Sequence, residues 1–143
     1  MFDESKDAEG APERAGLFTA RSLGASLTVR DLAASVAWYR DIVGFAAERE
    51  YRRDGVLFAQ AMRAGDVRLL LTQDTGARGL DRVKGEGFSL LLTTTDDVDA
   101  LAARIRARGG ELDSEPADVY GARAFRVRDP DGFRFAISAP RAG

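Results

Sequence analysis

The stretch LTVRDLAASVAWYRDIVGF, residues 27–45, changes its apolar period once, and that change marks a strand running into a helix. At its start Ala25, Leu27 and Val29 alternate with Gly24, Ser26 and Thr28, the two-residue period of a strand with one buried face. Asp31 then stands where an N-cap accepts backbone N–H groups, and Leu32, Val36, Tyr39 and Val43 recur at helical spacing. Gly44 closes the helix as a residue suited to a left-handed C-cap. Beyond it, strand-like runs at about 45–52, 55–63 and 66–72 are separated by the turn signals Asp54-Gly55 and Gly65-Asp66.

The same order returns downstream. A strand runs from Phe88 to Thr94, a cap falls at Asp96 or Asp97, Val98, Leu101 and Ile105 share a helix face, and Gly109-Gly110 ends it. Strands follow near 111–117, 121–128 and 132–138, the last two joined by the turn Asp129-Pro130-Asp131-Gly132. Asp31 and Asp97, Gly44 and Gly110, and Arg68 and Arg134 are each 66 positions apart, and such a fixed offset is the mark of duplication. The expected fold is α+β: two tandem βαβββ modules at about 22–73 and 87–139, joined by a linker at about 74–86, within a domain of residues 22–143. Each antiparallel-rich sheet is covered on one side by its helix, which leaves the other faces free to form a cleft. Residues 1–21, with Asp3, Glu4, Asp7, Glu9 and Glu13 among few apolar side chains, read as a mobile acidic arm.

Composition narrows the chemistry. The 143 residues contain no cysteine and no histidine, which removes disulfides, thiolate catalysis, cysteine zinc sites and imidazole bases. A metal would need carboxylate, amide, hydroxyl or backbone oxygens. Lys and Arg number 21 against 23 Asp and Glu, too even a balance for a nucleic-acid surface. Arg104, Arg106 and Arg108 look basic together, but residues two apart point to different sides of a helix and read as a solvated face. No apolar run reaches the length of a membrane span and no leader is visible, so a cytoplasmic protein without membrane or nucleic-acid partners is expected.

Residues Leu27 to Phe45 closely resemble the opening strand and helix of the glyoxalase and bleomycin-resistance proteins, the vicinal oxygen chelate (VOC) superfamily. RDPDGFRF, Arg128 to Phe135, resembles their final hairpin, and with the duplicated layout the resemblance covers about Leu23 to Ala139. It implies the paired-module fold, and it implies a homodimer, since members often build the cleft from two chains. In metal-dependent members four cleft-facing side chains hold an ion that polarises a substrate with adjacent oxygens. By motif those places fall on Gly24, Leu70, Leu90 and Ala136, none of which can ligate. A one-residue slip offers only Ala25, Leu69, Leu71, Ser89, Leu91, Phe135 or Ile137, so the resemblance points to a metal-free branch without cofactor.

Strand parity then sorts the faces. Ala25, Leu27, Val29, Val67, Leu69, Leu71, Phe133, Phe135 and Ile137 are uniformly apolar and are expected under the helices. The opposite parity places Ser26, Thr28, Arg68, Leu70, Thr72, Leu90, Leu92, Thr94, Arg134, Ala136 and Ser138 in the cleft. Phe58, Gln60 and Met62, with Glu48, Glu50 and Tyr51, lie on strands expected to wall it, and Trp38 and Tyr39 supply aromatic surface, although a helical position favours packing on the sheet for at least one of them. Arg68 and Arg134 offer guanidinium forks to a ligand carboxylate or phosphate, or else pair with Asp66, Asp129 or Asp131. Asp96, Asp97 and Asp99 read as helix capping, Asp129 and Asp131 as turn chemistry. A metal-free protein binding a small organic ligand, an antibiotic or metabolite, needs no more than such a cleft. The alternative is an isomerase, lyase or dioxygenase with an unusual metal site, or with Glu48, Glu50 or Tyr51 as acid and base.

Overall fold

The computed structural model describes residues 15–141, so most of the expected N-terminal arm lies outside the described residues. Among the described residues no helix or strand precedes Ala25, and Leu17 and Phe18 are exposed. Strand β1 spans Ala25–Val29. Asp31 ends it and caps α1 (Leu32–Ala37) by accepting from the Ala34 N–H at 3.1 Å. The helix continues as a π-helical turn, Trp38–Val43, and Gly44 closes it at φ 109°. Strands β2 (Ala46–Arg53), β3 (Val56–Ala64) and β4 (Val67–Gln73) complete module one, whose sheet order is β1-β4-β3-β2. Module two repeats the plan: β5 (Leu90–Thr93), α2 (Val98–Ala107), β6 (Leu112–Val119), β7 (Ala122–Arg128) and β8 (Arg134–Pro140), in the order β5-β8-β7-β6. The expected two-module α+β fold is therefore present. Asp54 and Tyr120, 66 positions apart, both take positive φ before a glycine, so the two equivalent hairpins turn the same way.

Both sheets bury their apolar faces in one continuous core. Leu27, Val29, Leu69 and Leu71 from module one join Phe125, Val127, Phe135 and Ile137 from module two. Tyr39 links them: 1% exposed, its ring meets Phe45 and Phe135 edge-on with centroids 5.6 and 5.8 Å away. Its hydroxyl donates to Asp129 Oδ2 at 2.7 Å. The neighbouring Asp131 accepts from the Arg30 N–H at 2.9 Å and from the Ser35 hydroxyl at 3.5 Å. Asp129 also accepts from the N–H groups of Asp131 and Phe133, at 2.9 and 2.8 Å. Both carboxylates thus serve the turn, as expected, and they also bind module one to module two. Burial raises the Asp129 carboxyl above its ordinary range even against these donors, and the same burial, with the adjacent carboxylate, drives the Tyr39 hydroxyl far up.

The basic run on α2 is not simply a solvated face. Arg104 and Arg108, one turn apart, donate to the carbonyls of Val43 and Asp41 at 2.8 and 2.9 Å, satisfying the C-terminal end of the π-turn. Arg106 pairs with Glu115. A Cβ on Gly44 would lie 2.6 Å from the Arg104 guanidinium, so the helix stop and the inter-helix contact require the same glycine.

The linker is also anchored. Lys84 Nζ reaches Asp74 at 2.7 Å and the Thr28 carbonyl at 2.9 Å, a buried pair reinforced by the Gly76 N–H on Asp74. Gly85 follows at φ 81°, where a Cβ would sit 2.6 Å from the Gly132 carbonyl.

Removing the Tyr39 hydroxyl in Tyr39→Phe leaves a buried carboxylate short of a donor and is expected to cost about 1–3 kcal/mol in urea unfolding. The Lys84 ammonium and the Gly76 amide hold Asp74 down from 3.8 to about 2, so its stabilising contribution is complete above its unfolded value and lost as pH falls towards 2. Urea midpoints measured from pH 5 downward should fall over that window in the wild type, and this component should shrink in Lys84→Met, where the Gly76 amide and Arg82 still hold Asp74.

Candidate functional site

On each sheet, every second residue points away from the core, and the strand register assembles these residues into two open faces. In module one Thr28, Thr72, Ala59 and Tyr51 lie side by side across four strands, and Ser26, Leu70, Ala61 and Arg49 form the next row. A bulge between Ala47 and Arg49 adds Glu48, whose carboxylate holds Arg63 at 3.2 Å and Arg68 at 3.4 Å. A second irregularity between Tyr51 and Arg52 places Phe58 beside Tyr51, with ring centroids 6.5 Å apart. The Arg49 guanidinium lies over Tyr51 at 5.1 Å and that of Arg53 over Phe58 at 4.7 Å. The Thr28 and Thr72 hydroxyls bond each other at 3.2 Å.

Module two is built alike. Leu91, Ala136, Arg126 and Ser114 form one row; Thr93, Ser138, Ala124 and Ala117 form the next. Arg134 lies beyond Ala136 on the same face, and Leu91 is 75% exposed. Because the covered faces share one core through the helices, the two open faces point outward from it. Concave surface is found elsewhere as well, in a groove of about 450 Å³ between Trp38, the Gly109–Asp113 segment and the Arg128–Pro130 turn.

Of the residues expected in the cleft or on its walls, Ser26, Thr28, Glu48, Tyr51, Phe58, Arg68, Leu70 and Thr72 stand together on the open face of module one, and Arg134, Ala136 and Ser138 on that of module two. Gln60, Met62, Leu90, Leu92 and Trp38 do not. Met62 pairs with Leu69 and is fully buried in the core; Gln60 pairs with Leu71. The Gln60 amide donates to the Arg49 and Ala61 carbonyls at 3.0 and 3.1 Å, filling the gap that the Glu48 bulge opens in the ladder. Leu90 and Leu92 pair with Phe135 and Ile137 and pack on the core. The cause is one extra residue between β5 and Asp97: strand β5 is offset from β1 by 65 positions, not 66, so Leu91 and Thr93 replace Leu90 and Leu92. Trp38 packs beside Tyr39 between the modules, centroids 4.8 Å apart, away from both open faces. Arg68 takes Glu48 as its acid, where Asp66 was an expected partner. Strand parity missed Arg49, Arg63 and Arg126 and the alanines of β3: Gln60 and Met62 were expected in the cleft, but Ala59, Ala61 and Arg63 hold the open face of that strand instead.

A duplicated βαβββ chain with two uncovered, arginine-bearing sheet faces is the class of protein that this geometry defines. The chain belongs to the family described as "Glyoxalase/Bleomycin resistance protein/Dioxygenase superfamily", which matches residues 21–137. It is 30% identical over 125 residues to a "Probable lactoylglutathione lyase" of Vibrio cholerae, covering 82% of this chain and 88% of that protein. It is 29% identical to the Arabidopsis thaliana "Lactoylglutathione lyase GLX1" over 76% of this chain, and there it spans only 40% of the relative's length. In fold it is similar to TnmS3, described as an antibiotic binding protein from Streptomyces, with a TM-score of 0.68, 24% identity, and 87% of this chain and 99% of the other covered.

The residues do not fit a chelated metal. With the β5 register corrected, the four places to which the resemblance assigns metal ligands are Gly24, Leu70, Ser89 and Ala136, without an imidazole or carboxylate. Among the described residues no group of three or more His, Cys, Asp or Glu is arranged to hold an ion. Nor is any described helix long and apolar enough to cross a membrane.

Placing Met62 in the core predicts that Met62→Ala costs about 2–5 kcal/mol of stability, read from denaturant midpoints. A ligand-contact role would instead leave the midpoint unchanged and alter binding alone.

Proposed function

We propose that the chain is a metal-free small-molecule-binding protein that works as a cytoplasmic homodimer, an antibiotic or metabolite being its ligand. One observation carries this reading: the positions at which the family's fold gathers a metal are occupied by Gly24, Leu70, Ser89 and Ala136, on faces otherwise built for contact. A small floor of Ala61 and Leu70, with aromatic and hydrogen-bonding groups around it, suffices for affinity and requires no proton shuttle. The likeness to an antibiotic binding protein points the same way. The outward direction of the open faces supports the dimer, because one chain cannot bring its own two faces together and a second copy offers the opposing wall.

The second reading is an enzyme, favoured by the 30% identical relative described as a probable lactoylglutathione lyase. Glu48 is the carboxylate an acid-base reaction on the module one face would use, but its oxygens are engaged by Arg63 and Arg68. That engagement ranks catalysis below binding.

Native mass spectrometry of the untreated protein, followed by denaturation to identify released species and a thermal-shift screen of aromatic metabolites and antibiotics, separates the readings. A dimer without metal, empty or carrying an organic adduct, with Tm raised by screened compounds, is the expected outcome. One transition metal retained per site would overturn the proposal in favour of catalysis.

A further inference from the structure

Resting on the binding reading above, we infer that the ligand is a planar aromatic anion, one that bears a carboxylate, sulfonate or phosphate and lies on the open face of module one. The distribution of charge carries the argument. The chain has a net charge of -2, yet this face presents Arg49, Arg53, Arg63 and Arg68 against the single acid Glu48. Arg63 and Arg68 are committed to Glu48. Among the described residues Arg49 and Arg53 have no carboxylate partner, and on the module two face Arg126 and Arg134 have none either. A closed site built from both faces therefore concentrates positive charge, and an anion held between them offsets that repulsion.

The geometry adds the aromatic half. Arg49 and Arg53 hold their guanidinium groups over the rings of Tyr51 and Phe58, at 5.1 and 4.7 Å. Stacking holds a guanidinium in place while its N–H donors, which lie in the plane, stay free to take two oxygens of one anion. Beside this wall β3 presents the half-buried Ala61 next to Arg49, between Phe58 and Arg63 of the same strand, whereas Ala59 next to Tyr51 is already buried. The next tall residues, Leu70 and Thr72, stand on β4, so the trough is roughly 10 Å wide, two strand spacings. A flat ring fits over Ala61, with one edge at Leu70 and its charged substituent at Arg49.

Titration calorimetry of the full-length protein with three naphthalene probes of equal size, a carboxylate, a primary alcohol and a methylammonium, tests this. The carboxylate is expected to bind at least about tenfold more tightly than the alcohol, an advantage that shrinks as salt rises. The double variant R49Q/R53Q should lose that advantage while keeping its Tm and its affinity for the alcohol, and amide shifts at Ala61 and Leu70 should follow the carboxylate titration. Equal or tighter binding of the alcohol or the methylammonium, or a double variant that keeps the preference for the carboxylate, overturns the inference and leaves the binding function standing. Failure of all three probes while a screened compound binds overturns it equally. If nothing binds, in this titration or in the screen, the binding function fails with it.

Discussion

The carboxylates of the Asp129-Pro130-Asp131-Gly132 turn join the two halves of the molecule. Asp129 takes the Tyr39 hydroxyl; Asp131 takes the Arg30 amide and the Ser35 hydroxyl. Three donors of module one, from the loop after β1, from α1 and from the π-turn, are thus satisfied by a turn of module two. Each of these groups is costly to bury alone, and the arrangement removes that cost only when the modules sit in this one relation. Tyr39 then brings its ring against Phe135, and the two covered sheet faces become one core. The direction of the open faces follows: whatever binds there meets each sheet from outside the shared core.

The duplication repeats the scaffold more faithfully than the surface. The bulge that lifts Glu48 towards Arg63 has a counterpart at Asp113, which pairs with Arg128 at 3.1 Å. The positive-φ residues Asp54 and Tyr120 end equivalent strands. The open faces have diverged instead, with Ser26, Leu70, Ala61 and Arg49 in one module standing where Leu91, Ala136, Arg126 and Ser114 stand in the other. Backbone geometry tolerates few residues at a turn or bulge, whereas an uncovered side chain is limited only by what it meets. A cleft with two unlike walls suits an asymmetric ligand.

Stability and recognition are also drawn from different chemistry. The conspicuous acidic and basic runs of the chain turn out to be structural. Asp97 caps α2 by accepting from the Asp99 and Ala100 amides, Asp99 holds Arg123, and Arg104 and Arg108 tie α2 to the end of the π-turn. The arginines left over lie on the sheets, where two of them stack on aromatic rings. Charge clusters along the sequence therefore mark helix ends, while the charge available to a ligand comes from residues scattered over three strands.

Much of the fold was legible in the sequence because periodicity and caps are local. Alternation around Leu27, helical spacing from Leu32 to Val43, and the repeated offset from Arg68 to Arg134 are written within short windows, and each survives in the tertiary structure. The candidate site was legible only where strands run without interruption, as at Ser26, Thr28, Arg68, Leu70 and Thr72. Parity has a period of two, so one inserted residue reverses it: the extra residue after β5 turned Leu90 and Leu92 into the core, and the irregularity at Phe58 set that ring beside Tyr51 while Gln60 and Met62 point inward. Local sequence determined the elements and their order. Tertiary structure alone decided which arginines remain unpaired and which face each side chain serves, because those outcomes depend on hydrogen-bond register between strands far apart in the chain.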